Sequence, residues 1–247
     1  MLLIELLLLQ LQAAHAMRYL ILRHGQTDHN RDGLIQGSSD VSRLTEKGQV
    51  QARASGVALA SANDRITRTF VSPLTRAKQT HELLLESCEL PPPTILADLR
   101  EIDLHEWEGR AKAELKLEQP DVYAAWQRDP LAMLVGRHRP IVDLWRRAST
   151  SVWPAVRLEA ITDGATLVVC HGSLGQALLC TALGLDESGW RKFEFPNCGM
   201  AEIEWPADAR LATQWRWRLP ERGCWRTRTS TRALHLAQVS SVTVQGG

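Results

Sequence analysis

Two stretches decide the fold: MRYLILRHGQTDHN (Met17 to Asn30) and TLVVCHGSLGQALL (Thr166 to Leu179). Each opens on a short apolar run that stops abruptly, at Arg23 and Gly25 in one case and at His171 and Gly172 in the other. Such a run reads as a strand buried on both faces that delivers a polar loop. After the second run a helix is expected from about Ser173 to Leu183. Strand, loop and helix in repetition predict a three-layer α/β/α sandwich around a mostly parallel sheet. In sheets of that kind ligands gather beyond the carboxyl ends of the strands, which is where Arg23, His24 and His171 fall.

Between these stretches the same grammar continues. Thr45 is an N-cap for an alanine-rich helix to Ala60, and Ile66 to Val71 alternates as a strand. Pro73 is expected to open a helix through about Glu86, and Pro91, Pro92 and Pro93 close that unit. Leu115 to Trp126 and Val142 to Ile161 read as helices, the second from its apolar spacing. Met200 to Trp205 and Leu211 to Arg218 read as strands. The chain then turns Arg- and Thr-rich, so that residues 17–220 form the domain and Glu221 to Gly247 a weakly ordered basic tail.

At 247 residues, 44% hydrophobic and 23% charged, the chain suffices for one large domain with a buried core. A formal net charge of +1 provides no general field for a polyanion, which argues against nucleic acid as a partner. Five cysteines, none in a CxxC pair, point to a reducing compartment, cytoplasmic or plastid, and to no metal site. Residues 1–16, MLLIELLLLQLQAAHA, are leucine-rich but lack a leading Lys or Arg and contain Glu5. They are too short for a membrane span and read as a start-site extension or a targeting remnant rather than a secretion signal.

Four strings carry chemistry: LRHGQTDHN (Leu22 to Asn30), SPLTRAKQT (Ser72 to Thr80), LREIDLHEWEG (Leu99 to Gly109) and VVCHGSLGQAL (Val168 to Leu178). A phosphate monoester is doubly negative, and attack on it requires fixed cations around its equatorial oxygens. Arg23 and Arg76 supply planar, permanently charged donors. His171 can add a donor, and Gly172 with the backbone amides of the following helix start can assist. The nucleophile must be neutral near pH 7, which suits the imidazole of His24, and Gly25 beside it leaves room for the phosphoryl group. The leaving oxygen needs a proton from a carboxylic acid. Glu101 is the candidate, with Asp103, Glu106 and Glu108 as neighbours of the same type.

Together the four strings resemble the histidine phosphatase superfamily, the phosphoglycerate mutase-like family, over about Met17 to Arg218. The resemblance implies a phosphoglycerate mutase-like sandwich and a cofactor-free, two-step transfer from a small phosphorylated metabolite. His24 would be the phosphorylated residue, Arg23, Arg76 and His171 the rest of the phosphate pocket, and Glu101 the proton donor. Thr27, Asn30, Gln36 and Gly37 match substrate-side positions. Within the superfamily, Ala125 to Trp153, LREIDL and PNCGM (Pro196 to Met200) resemble the plant and cyanobacterial branch of 2-carboxy-D-arabinitol-1-phosphate phosphatases and related sugar-phosphate phosphatases. The chain departs from the common pattern at SSDVSRLTEKG (Ser38 to Gly48), where the usual proline before Leu-Thr is absent.

Arg137, His138 and Arg139 lie in the segment expected to cover the pocket. They are read either as a receptor for a second anionic group on the substrate or as a solvated lid loop. A mutase would share the phosphohistidine, but the Gly-Trp loop of mutase-type members is missing between Asn30 and Leu44, which favours hydrolysis. A non-catalytic binding module is the further alternative, and the presence of His24, Arg76, Glu101 and His171 together speaks against it.

Overall fold

The computed structural model describes residues 16–229 except 63, 159–163, 208 and 222–223, with side chains described through Arg218. The apolar segment 1–15 and residues 230–247 lie outside the described residues. The strands are β1 (Ala16–Arg23), β2 (Ile66–Val71), β3 (Pro93–Ile95), β4 (Ala165–Cys170), β5 (Met200–Pro206), β6 (Gln214–Glu221) and β7 (Cys224–Thr229). They form one sheet in the order β3-β2-β4-β1-β5-β6-β7. It is parallel from β3 to β1 and continues antiparallel through β5, β6 and β7.

β1 shows why the sheet is central. Tyr19 and Ile21 enter one apolar cluster and Leu20 and Leu22 the other, so the period-2 alternation of side chains feeds two cores rather than one core and solvent. Helices α2 (Glu46–Ser61) and α3 (Thr75–Leu84) pack together on the side of Leu20 and Leu22. Helix α8 (Gly172–Ala182) packs against β1 and β5 on the other side. There it meets a long helix made of α6 (Pro140–Arg147), a π turn (Ala148–Val152) and α7 (Trp153–Arg157). These are the three layers that the strand-helix alternation predicts. A short helix α1 (Asp28–Arg31) follows β1, and α4 (Lys112–Glu118) and α5 (Pro120–Arg128) stand over the carboxyl edge near it.

Several boundaries differ from the sequence reading for identifiable reasons. Thr45 caps α2 as expected, accepting from the Gly48 amide at 3.1 Å. Pro73, however, precedes α3 rather than opening it, because the Asp40 carboxylate takes the Thr75 amide and hydroxyl and starts the helix there. The helix expected over Leu115 to Trp126 is two, broken at Gln119, after which Pro120 occupies a first-turn position. The helix expected from Val142 starts at Pro140 and widens into the π turn just before Pro154, whose ring and missing N–H a regular α turn would not accommodate. Its expected end at Ile161 lies outside the described residues. Within the segment read as a weakly ordered tail, Cys224–Thr229 pairs with β6 as β7.

One charged cluster ties the antiparallel strands to the core. Glu202 of β5 is 1% exposed and meets Arg18 at 2.8 Å, Arg216 at 2.6 Å and Arg218 at 2.5 Å. Asp64 bridges Arg18 and Arg218 from the loop before β2. Burial opposes ionisation of Glu202, but Arg216, Arg218 and Arg18 override it and hold the carboxyl at about 2 against an ordinary 4.5. Its stabilisation is therefore complete above pH 4.5 and is lost as pH falls through 2. Glu202→Gln at pH 7 should lower unfolding free energy by about 3 kcal/mol, since it strands arginines around a buried site. Glu86→Gln, which opens the exposed Arg53 pair, should change it by less than about 1 kcal/mol, both read by urea unfolding.

Candidate active site

The site begins with strand register. β1 and β4 run parallel with Arg23 opposite Cys170, so the next residues, His24 and His171, emerge side by side. The His24 amide donates to the Cys170 carbonyl at 3.0 Å, and the two imidazole rings lie 5.2 Å apart. β2 ends one strand further on, placing Ser72 2.7 Å from His171 Nε2. Three adjacent parallel strands thus deliver one residue each to a common edge.

His24 is 2% exposed, and its Nδ1–H donates to the Gly25 carbonyl at 2.7 Å, which leaves the Nε2 lone pair unprotonated. Burial first, then the charges of Arg23 and Arg76, push its pKa well below the ordinary 6.5. Gly25 also serves the packing. A side chain there would meet the Gly48 carbonyl at 2.5 Å, so its absence lets α2 approach.

Arg76 is fully buried near the start of α3. Its guanidinium donates to the carbonyls of Ser39 (2.7 Å) and Gly37 (2.8 Å) and to His171 Nδ1 (3.3 Å). Burial lowers its pKa to about 10, with Glu101, Asp40 and Glu108 acting in the opposite direction, so it stays charged at neutral pH. An arginine only donates, so His171 accepts at Nδ1 and its Nε2–H donates to Ser72. His171 orients Arg76 in this arrangement. Protonation, which an additional donor role would need, is opposed by burial and by Arg76, His24 and Arg23. Arg23 donates to the Phe195 carbonyl at 2.5 Å, and Gly172 lies against its guanidinium. Its buried Nε has no hydrogen-bond partner among the described residues.

Glu101 reaches the amino end of α8. Oε1 accepts from the amides of Ile102 (2.9 Å) and Leu174 (3.0 Å), and Oε2 accepts from Ser173 (3.0 Å). Of the amides at this helix start, where assistance to phosphate is expected, those of Ser173 and Leu174 are therefore held by Glu101. Oε2 keeps one lone pair free. Among the neighbouring acids, Asp103 pairs with His105, Glu106 is exposed, and Glu108 is engaged with Ser38 and Leu104.

A cavity of about 330 Å³ is lined by Arg23, His24, Asn30, Gln36, Gly37, Arg76 and Glu101. Thr27 is buried behind it, capping α1 and donating to Gln36 at 3.0 Å. Asn30 is steadied by Asn197, which also donates to the His24 carbonyl. Arg137, His138 and Arg139 are exposed and do not line this cavity. His138 instead stands 5.0 Å from the His105 ring in a separate groove beside Arg146 and Arg147. Besides Arg23 and Arg76, the cavity wall carries the cations Lys112 and Arg191, next to Trp107, Tyr123, Trp126 and Trp190. Sequence reasoning missed them, although Lys112 closely follows the Trp107-Glu108-Gly109 string.

His24 and His171 are neutral when folded, whereas unfolded imidazoles take up protons below 6.5. Stability must therefore fall as pH drops below 6.5 toward the folded-state values. The urea midpoint should decrease from pH 7.5 to 5.5 in the wild type and decrease less in His24→Gln; identical slopes would contradict a buried neutral His24.

Residues 19–218 match the family model described as histidine phosphatase superfamily (branch 1). The chain is 40% identical over 187 residues to a protein named "Probable 2-carboxy-D-arabinitol-1-phosphatase" from Arabidopsis thaliana, covering 76% of this chain and 38% of that one. It spans less than two fifths of the length of that protein and of the similarly named wheat protein. A "Probable phosphoglycerate mutase GpmB" from Yersinia pestis is 31% identical over 201 residues, 79% of this chain and 88% of the other. Among solved structures, the mycobacterial glucosyl-3-phosphoglycerate phosphatase with VO3 superposes at a TM-score of 0.68 and 27% identity, over 87% of this chain and 98% of its own. With this match across the described domain, the chain belongs to the histidine phosphatase superfamily, branch 1.

Proposed function

We propose that the protein hydrolyses a small phosphorylated metabolite, through a phosphoryl group carried on His24. The observation that supports this most is the tautomer: a neutral imidazole, anchored through Nδ1, with its Nε2 lone pair free beside the guanidiniums of Arg23 and Arg76. Nε2 attacks phosphorus as the ester P–O bond breaks, and the leaving oxygen takes a proton that Glu101 carries on the free lone pair of Oε2. Water then gives a proton back to Glu101 while its oxygen attacks phosphorus, and the P–N bond breaks to release phosphate. Arg23 and Arg76 neutralise the equatorial oxygens in both steps, so the reaction draws its positive charge from the protein and needs no added metal.

The substrate class we propose is a sugar phosphate or a phosphorylated sugar acid. Lys112 and Arg191 offer charge for a second anionic group, and Trp107, Tyr123 and Trp126 offer apolar faces for a carbon skeleton. The names of the plant and mycobacterial relatives carry substrates of this kind. Buried free thiols at Cys170, Cys180 and Cys198 support a reducing compartment.

Hydrolysis of an aryl phosphate in EDTA should persist in the wild type and vanish in His24→Ala, with acid-labile phosphohistidine trapped on the wild type alone. Arg76→Ala should cost about two to three orders of magnitude in kcat. Glu101→Gln should slow alkyl phosphates more than aryl phosphates, because only poor leaving groups need the proton. Equal slowing of both would remove Glu101 from the acid role, and label without release to water would indicate a mutase.

A further inference from the structure

The two halves of the site come from separate segments. The loop Gln36 to Arg43 surrounds Arg76, and the stretch from Glu101 to Leu104 carries the carboxylate at the start of α8. A single oxygen stands between them. Glu108 Oε1 accepts from the Ser38 amide at 2.8 Å, the Ser38 hydroxyl at 3.2 Å and the Leu104 amide at 3.0 Å. Ser38 is flanked by Gly37 and Ser39, the residues whose carbonyls hold the Arg76 guanidinium. Backbone pairing runs alongside, from Gly109 to the Ile35 carbonyl at 2.7 Å and from Ile35 to the Arg110 carbonyl at 2.9 Å.

The chemistry of the contact explains the residue types. An oxygen that accepts from several donors does so best when it carries charge, which an ionised carboxylate provides. Gly37 sits at φ +51, and a Cβ there would overlap the Glu108 carboxylate. Glycine at 37 thus leaves the Glu108 carboxylate its place, although the two residues are far apart in the chain. Glu106, two residues earlier, is exposed.

We propose that Glu108 is a positioning residue that sets the separation between the Arg76 side of the pocket and Glu101, so that phosphate neutralisation and leaving-group protonation meet on one substrate. Its effect on turnover rests on the phosphatase reading above. Its effect on the pocket does not, because an oxyanion bound at Arg76 reports the same geometry without any reaction.

The test uses the full chain with Glu108→Ala, Glu108→Gln and Gly37→Ala, and orthovanadate as the probe, followed by tryptophan fluorescence from Trp107 and Trp126 on the cavity wall. Aryl and alkyl phosphate hydrolysis are measured in parallel. Glu108→Ala should weaken vanadate about tenfold or more and lose more activity on the alkyl than on the aryl ester. Gly37→Ala should behave alike, and Glu108→Gln, which keeps an acceptor oxygen, should recover most of the vanadate affinity. Wild-type vanadate affinity and an unchanged alkyl-to-aryl ratio in folded Glu108→Ala would overturn the proposal. So would equal losses in the Ala and Gln variants that merely follow their melting temperatures. Absence of phosphohistidine in the wild type would count against the phosphatase reading alone, with the vanadate affinities still deciding the role of Glu108.

Discussion

The site depends on keeping one imidazole uncharged while two guanidiniums lie close to it in a buried place. A protonated His24 would have no lone pair at Nε2 and would repel Arg23 and Arg76 across a medium that screens poorly. Burial and those same cations keep the proton off, and the Gly25 carbonyl determines which nitrogen retains its hydrogen. The arrangement is self-consistent: the charges that would hold a phosphate dianion are the ones that keep the adjacent nitrogen free to attack it.

Such a cluster of cations is costly to bury unless most of its donors are occupied. Arg76 is held by main-chain carbonyls of Gly37 and Ser39 and by His171, and Arg23 by the Phe195 carbonyl, with its buried Nε left without a partner among the described residues. Loop carbonyls balance the guanidiniums without neutralising them, so the positive charge remains for a ligand. The loop that supplies them is tied down in turn by Asp40 at the head of α3 and by the Glu108 carboxylate. The polar network of Thr27, Gln36, Ser42 and Asn30 fills the space behind it.

Much of this was legible in the sequence where local pattern and global burial agree. β1 and β4 carry continuous apolar runs, Tyr19 to Leu22 and Leu167 to Cys170, because both faces are covered there, and the Thr45 cap is decided by its own neighbours. The strand ends then place Arg23, His24 and His171 without further information. Other features depend on contacts between distant segments. Asp40, rather than Pro73, sets the start of α3, and the π turn answers Pro154 within a helix whose apolar spacing looks continuous. Glu101 was identifiable as an acid, but not its hold on the α8 amides. The basic run at Arg137 to Arg139 left two readings open, a receptor for an anionic group or a solvated loop, because composition does not say which way a loop faces. Arg191 stands on the cavity wall with only its fold position to mark it, in the backbone region at φ +68 that side chains seldom adopt.

The most direct measurement is the protonation state of His24 itself, followed by nitrogen-15 NMR of histidine-labelled protein from pH 8 to 5, with His24→Gln used to assign the signal. The account predicts a neutral, Nδ1-protonated ring at pH 7 that does not titrate until well below 6.5. A ring protonated at Nε2, or one that takes up its second proton at or above 6.5, would contradict it.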